Sequence, residues 1–348
     1  MKPAQHSAGS WLRAYRSYLG IAAGTTLVVI IYLLSGQQSS PSLLAFNSPT
    51  GSGDNSTDSA VIQAVVSKYN PPVVAAPRKN ADGANHAEWN SIHEQYVQEI
   101  DHHRKQGEEV DLIIYGDSIT ETWRGRQMGQ EIEKFSTGPP IWDTHSVTWP
   151  FSAATFGIAG DTTEHLLWRI QNGEGPTGLG TKVIIVLIGT NDLTQSLPEE
   201  ALEAPEATAH VVRQRVVAIV EALQAAVPGV DVIIAGLLPR GDRLAEDAAK
   251  LPSKYSWTIR EINKSLFRYC AGARHAHFVD CTKPFVVEEE GGSRINTVNM
   301  PDILHPAGPG LEELLGCWVP EVKRLLEERK AAEAEAEAIA SPDVSGQR

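Results

Sequence analysis

Residues 183–188 read VIIVLI, six apolar residues in a row with no polar alternation. A strand with one face in water alternates apolar and polar residues. A strand that does not alternate must be covered on both faces, the condition of an inner strand in a parallel sheet. Further apolar-rich segments that read as strands occupy 111–115, 230–238 and 276–280. Between them, apolar residues recur at helical spacing. Trp89, Ile92, Tyr96 and Ile100 form one stripe. Leu166, Leu167 and Ile170 lie on a second, over 162–170. Val212, Val216, Ile219, Val220 and Leu223 form a third, and Ile259, Ile262, Leu266 and Tyr269 a fourth. Leu311, Leu314, Leu315, Trp318, Val322 and Leu325 form the last, with a kink expected at Pro320. Strands alternating with helices predict an α/β fold, a three-layer α/β/α sandwich on a parallel sheet, as one domain over 85–329. With 42% hydrophobic residues in 348, the chain has enough apolar surface for such a core.

The sequence in front of that domain has a different character. Residues 18–34, YLGIAAGTTLVVIIYLL, carry no charge, and Lys2, Arg13 and Arg16 precede them. No further charged residue appears before Asp54. The length is at the short end for a bilayer span, and the positive flank sets its direction. The expectation is a cytosolic segment at 1–17, a transmembrane signal anchor at 18–34 and a flexible Ser/Gly/Pro-rich stalk at 35–84. The α/β domain would then face the lumen or the exterior, in a type II membrane protein of the secretory pathway. Secretion after signal cleavage is the alternative. Residues 330–348 are expected as an acidic, partly disordered tail. Asn55 and Asn263 each begin a glycosylation sequon. The cysteines Cys270, Cys281 and Cys317 form no CxxC pair, and their pairing stays open. The formal net charge of −13 disfavours a nucleic-acid partner, and no metal or cofactor motif is present.

In open α/β sheets, reactive residues collect beyond the carboxyl ends of the strands. Four polar clusters fall at strand–helix junctions here. They are Gly116-Asp117-Ser118, the run ending in Gly160-Asp161, Gly189-Thr190-Asn191-Asp192, and Asp302-Ile303-Leu304-His305. Acyl transfer needs a hydroxyl nucleophile, a base, an acid to orient the base, and donors for the oxyanion. Ser118, His305 and Asp302 are the candidates for the first three. The N–H groups of Ser118 and Gly160 and the Asn191 side-chain amide are the candidate donors. Each cluster alone is readily a turn or a helix cap. Their joint occurrence, in chain order, favours a site. Asp117 reads as shaping the turn that exposes Ser118. No Gly-x-Ser-x-Gly elbow is present.

These blocks resemble those of the SGNH (GDSL) hydrolase superfamily. Phe156–Glu174 (FGIAGDTTEHLLWRIQNGE), VLIGTND, GLLPRG and DILH are most similar to the catalytic α subunits of type IB platelet-activating factor acetylhydrolase. The resemblance implies a flavodoxin-like sheet, a Ser-His-Asp triad on the residues already named, no metal, and a homodimer. It implies a serine esterase for short, above all acetyl, esters of a lipid or glycan. A catalytically silent binding or scaffold protein of the same fold is the alternative. Two departures stand out. Residues 136–152 form an insert carrying Trp142 and Trp149, expected near the site mouth as a pocket wall or lid. Asp192 replaces an Asn usual in those subunits.

Overall fold

A computed structural model describes residues 73–84 and 86–340. The apolar run at 18–34, most of the stalk with its Asn55 sequon, and residues 341–348 lie outside the described residues. Among the described residues no helix is long and apolar enough to cross a membrane.

Five strands form the central sheet: β1 (Leu112–Gly116), β2 (Ala153–Gly157), β3 (Val183–Leu187), β4 (Asp231–Ala235) and β5 (Ala276–Val279). Their order is β2-β1-β3-β4-β5, with every pair parallel. Among the described residues seven α-helices accompany them: α1 (Ala87–Gln106), α2 (Ser118–Glu121), α3 (Gly138–Ser146), α4 (Thr163–Arg169), α5 (Pro205–Ala226), α6 (Ser256–Cys270) and α7 (Pro309–Ala340). The unalternating strands divide their side chains between two covered faces. Ile113, Tyr115, Ile184, Val186, Val232 and Ile234 pack with the stripes of α1, α4, α5 and α6. Leu112, Ile114, Val183, Ile185, Leu187 and Ile233 pack on the other side with Trp123 and with Leu311, Leu314, Trp318 and Val322 of α7. The sandwich therefore has three layers. Each large aliphatic side chain so buried contributes about 1.5–3 kcal/mol toward offsetting chain entropy.

The register places the site. Gly116 pairs with Gly157 on one side and with Leu187 on the other, so β1, β2 and β3 end level. The three loops that follow leave one edge of the sheet together.

Several boundaries differ from the sequence expectation. Residues 136–152 are no lid. They contain α3, the crossover that returns the chain from the end of β1 to the start of β2. Trp142 packs on Trp123 and Trp149, with ring centroids 5.7 and 5.3 Å away, and Trp149 stacks on Phe151 just before β2. Aromatic area of this size is better buried on the α7 face than held over a polar site. The domain also starts before residue 85. Ala76 N–H donates to Glu164 O at 3.3 Å, and Arg78 Nη1 donates to Ala159 O at 2.7 Å. At the other end α7 passes through Pro320 as one helix and continues to Ala340, so residues 330–340 are helical. The helix at 162–170 is shorter than its stripe, unwinding after Arg169 through a wide turn at Ile170–Glu174, where Gly173 has φ 119°. Two short antiparallel ribbons, Arg126–Gln127 with Gln130–Glu131 and Val286–Glu289 with Gly292–Ile295, were not legible.

Candidate active site

Asp117 follows β1 and caps α2. Its Oδ1 accepts the Ile119 N–H at 2.9 Å, and its backbone is non-helical (φ −104°, ψ −145°). Ser118 is therefore the first helical residue, and its N–H is one of the groups that a helix start leaves without an internal acceptor. The α2 backbone sits tight on the end of β2. A Cβ on Gly157 would lie 2.5 Å from Glu121 N and 2.6 Å from Asp117 O, so only glycine allows this approach.

The loop before α7 supplies His305, whose Nε2 lies 2.9 Å from Ser118 Oγ. Its Nδ1 lies 2.8 Å from Asp302 Oδ2. Asp302 Oδ1 accepts the N–H groups of Leu304 at 3.2 Å and His305 at 2.7 Å, so one carboxylate holds both the backbone and the ring of the histidine. The geometry assigns the proton between ring and acid to Nδ1 and leaves Nε2 to accept from the serine. Phe135 meets the imidazole edge-on at 5.3 Å. Burial alone would raise the Asp302 carboxyl. The hydrogen bonds and charge of His305, with Lys134 at 3.0 Å, outweigh it and hold the acid well below the usual carboxylate range.

Gly160 stands in the loop after β2 with φ +80°, a left-handed conformation. Its N–H and that of Ser118 find no backbone acceptor among the described residues. Asn191, just beyond β3, is drawn into the same corner. Its Nδ2 donates to Asp161 O at 3.0 Å and, at the longer distance of 3.3 Å, to Asp117 Oδ2. All five sequence-chosen residues thus meet at one edge of the sheet, and Ser118, Gly160, Asn191 and His305 line one cavity of about 220 Å³. Its remaining walls include Gln127, Lys134, Gln195, Arg243 and Leu304.

Beneath this corner lies a buried polar frame that sequence reasoning missed. The Glu121 carboxylate accepts from Met128 N (3.0 Å), Gly129 N (2.7 Å) and Ala159 N (2.7 Å), clamping the loop that bears Gly160. Arg169, fully buried, donates to Asp161 Oδ2 at 2.8 Å and pairs with Glu174. It also donates to Gly116 O at 3.1 Å. Asp161 takes a further bond of 2.6 Å from Trp89 Nε1, and Glu174 one of 2.7 Å from His93. Asp192 accepts from Thr163 N (3.0 Å), Thr163 Oγ1 (2.6 Å) and Arg215 (3.0 Å), tying α4 and α5 to the turn that carries Asn191. Asp117 itself is pushed up to about 7 by burial, against the pull of the Ile119 N–H, with the Asp161 charge adding to the rise. Among the described residues no group of three or more His, Cys, Asp or Glu side chains is placed to hold a metal ion.

A parallel sheet whose strand ends bring a serine, a histidine and oxyanion-type donors together is the framework of a serine-type ester hydrolase. The chain belongs to the GDSL-like Lipase/Acylhydrolase family, whose model matches residues 114–310. It is 28% identical over 236 residues to platelet-activating factor acetylhydrolase IB subunit alpha1 of Rattus norvegicus, covering 68% of this chain and 82% of that protein. It is also 28% identical over 254 residues to the alpha2 subunit of Homo sapiens, covering 73% and 92%. A solved carbohydrate esterase family 3 structure from Talaromyces cellulolyticus aligns at 18% identity with a TM-score of 0.41, covering 63% of this chain and 99% of that one. The protein is a carboxylic ester hydrolase.

Proposed function

We propose that the protein removes short acyl groups, acetyl above all, through a Ser118–His305–Asp302 triad. The observation that carries this reading is the unbroken chain Asp302 Oδ2, His305 Nδ1 and Nε2, Ser118 Oγ, with links of 2.8 and 2.9 Å. Ser118 Oγ attacks the ester carbonyl and its proton passes to His305 Nε2. Asp302, held ionised, stabilises the imidazolium. The N–H groups of Ser118 and Gly160 receive the oxyanion. Asn191 joins them by exchanging its longer bond, to Asp117, for the new acceptor. His305 then protonates the departing alcohol, leaving an acyl-Ser118 ester. A water enters, gives its proton to His305, attacks the acyl carbon and releases the acid with Ser118 restored. The small cavity supports a short acyl group, since drug-sized ligands occupy pockets of roughly 300–1,000 Å³. The acetylhydrolase names of the curated relatives support it too.

Ser118→Ala is expected to abolish turnover of p-nitrophenyl acetate, and labelling by a fluorophosphonate probe, with the circular dichroism spectrum unchanged. Undiminished turnover would remove Ser118 from the mechanism. A folded wild-type protein that neither labels nor hydrolyses would point to the silent, binding reading instead.

For location, we keep the anchor at 18–34 and a lumenal or exterior catalytic domain as part of this proposal. A Cys281–Cys317 disulfide in the domain supports an oxidising compartment. Expression in a secretory host should leave the folded domain protected from protease outside intact microsomes. Digestion there would place it in the cytosol.

A further inference from the structure

The catalytic cavity does not stand alone. A second, larger cleft of about 500 Å³ adjoins it, and Gln195 lines both. Its walls are polar: Arg78, Lys79, His86, Thr162, His165 and Ser196 contribute, and Ala81 is the only apolar residue in it. The Arg78 guanidinium lies where a Cβ on Gly160 would be 2.7 Å away, beside the candidate oxyanion loop. It donates to Ala159 O and to Met128 Sδ, and it has no carboxylate partner among the described residues. Lys79 is exposed on the same wall. The one acid there, Glu164, is already paired with Arg215 at 3.1 Å. Across the catalytic cavity, Lys134 and Arg243 flank Asp302 at 3.0 and 3.5 Å. Two cations thus line the cleft and two the catalytic cavity, although the chain's net charge is −13.

Building on the serine-esterase reading above, we propose that this cleft holds the alcohol half of the ester, and that this half is an acidic sugar: a glycan unit bearing a carboxylate. Arg78 and Lys79 meet the carboxylate. The histidines meet hydroxyls. His165 Nδ1 accepts the Thr162 N–H at 3.2 Å, and His86 Nδ1 accepts the Trp89 N–H at 3.3 Å. With Nδ1 accepting in each ring, Nε2 is the nitrogen left to donate. Burial, with Arg78 and Arg169 adding to it, lowers His165 to about 4, so it remains neutral and adds no charge. A lipid tail finds no apolar wall here. The large apolar groove of about 920 Å³, walled by Trp257, Phe267 and Phe278, shares no lining residue with either cavity.

The test measures kcat/KM of the full chain on three acetyl esters: acetylated galacturonate oligomers, acetylated neutral galactose oligomers and an acetyl lysophospholipid. p-Nitrophenyl acetate serves as the common reference. The acidic sugar is expected to exceed the neutral one about tenfold, mainly through KM, and the gap should narrow as salt rises from 20 to 300 mM, roughly as Debye screening requires. Lys79→Gln, and Arg78→Gln, which keeps an amide donor for Ala159 O, should each bring the ratio toward one. Equal rates on the two sugars, a faster phospholipid ester, or a preference that survives both substitutions would overturn this inference while Ser118-dependent turnover of p-nitrophenyl acetate left the esterase reading standing. No turnover of any ester would overturn both.

Discussion

A methyl group at position 160 would face two obstacles. The backbone there is left-handed (φ +80°), and the new Cβ would press on Arg78. The guanidinium can move aside, but the backbone penalty stays, on the order of 1–2 kcal/mol for a residue other than glycine. Gly160→Ala is therefore expected to lower kcat on p-nitrophenyl acetate by tenfold or more with little change in KM, because a displaced N–H weakens the transition state and not the ground state. Asp117 gives a prediction of another kind. Its folded pKa of about 7 stands above the ordinary value near 3.9 of an unfolded aspartate. The folded state thus holds the proton more tightly, and stability contributed by this residue falls as pH rises from about 4 to about 7. Asp302 is lowered instead, so its contribution is present above pH 4 and is lost as acid is added, outside that window. Asn caps a helix as well as Asp does. Urea unfolding of Asp117→Asn at pH 4.5 and 7.5 should show a smaller loss of stability across the interval than wild type. An identical loss would mean that Asp117 does not titrate there.

At the level of elements, the strands and helical stripes were legible because burial on both faces and on one face leave different periodicities in the sequence. Ser118, Gly160, Asn191, Asp302 and His305 were legible because each follows a strand or precedes a helix, where a polar cluster interrupts an apolar run. Glu121 and Arg169 were not. An acid in the first turn of a helix and an arginine at the end of one read as solvated, and only the fold reveals that both side chains are buried and answered by partners. The 136–152 insert was misjudged for a related reason. Its tryptophans mark a buried contact, but nothing local says which end of the sheet they cover. Arg169→Met tests the buried frame. It leaves Asp161 and Glu174 without their cation at full burial, and should cost about 3–5 kcal/mol in urea unfolding. A cost below about 1 kcal/mol would show that the two acids are served by Trp89 and His93 alone.

Across the whole molecule, the Cys281–Cys317 bridge fastens α7 to the chain leaving β5, across a sequence separation of 36. In the chain-entropy picture a loop of that length stabilises by about 4 kcal/mol. Reduction, or the pair Cys281→Ser and Cys317→Ser, should lower the melting temperature by several degrees; an unchanged value would show that packing around Trp318 suffices. Asn263, the second sequon, has its side chain committed: Oδ1 accepts from Leu237 N at 2.8 Å and Nδ2 donates to Leu237 O at 2.9 Å. Mass spectrometry of protein from a secretory host should find Asn263 bare. A glycan there would mean that modification preceded folding of α6.

The loop carrying Asp302 and His305 rests against the start of α7, where Ala307 N–H donates to Asn299 O at 3.1 Å and a Cβ on Gly310 would strike that same carbonyl. In the proposed triad, the nucleophile follows the first strand of the sheet and its base lies in the stretch before the last helix. During synthesis, then, Ser118 emerges from the ribosome long before the residue that activates it. Under the proposed triad, hydrolytic power cannot precede the placing of the His305 loop against the start of α7. A truncation after β5 and before Asp302 would keep all five strands of the central sheet and lose the base and acid of the proposed triad.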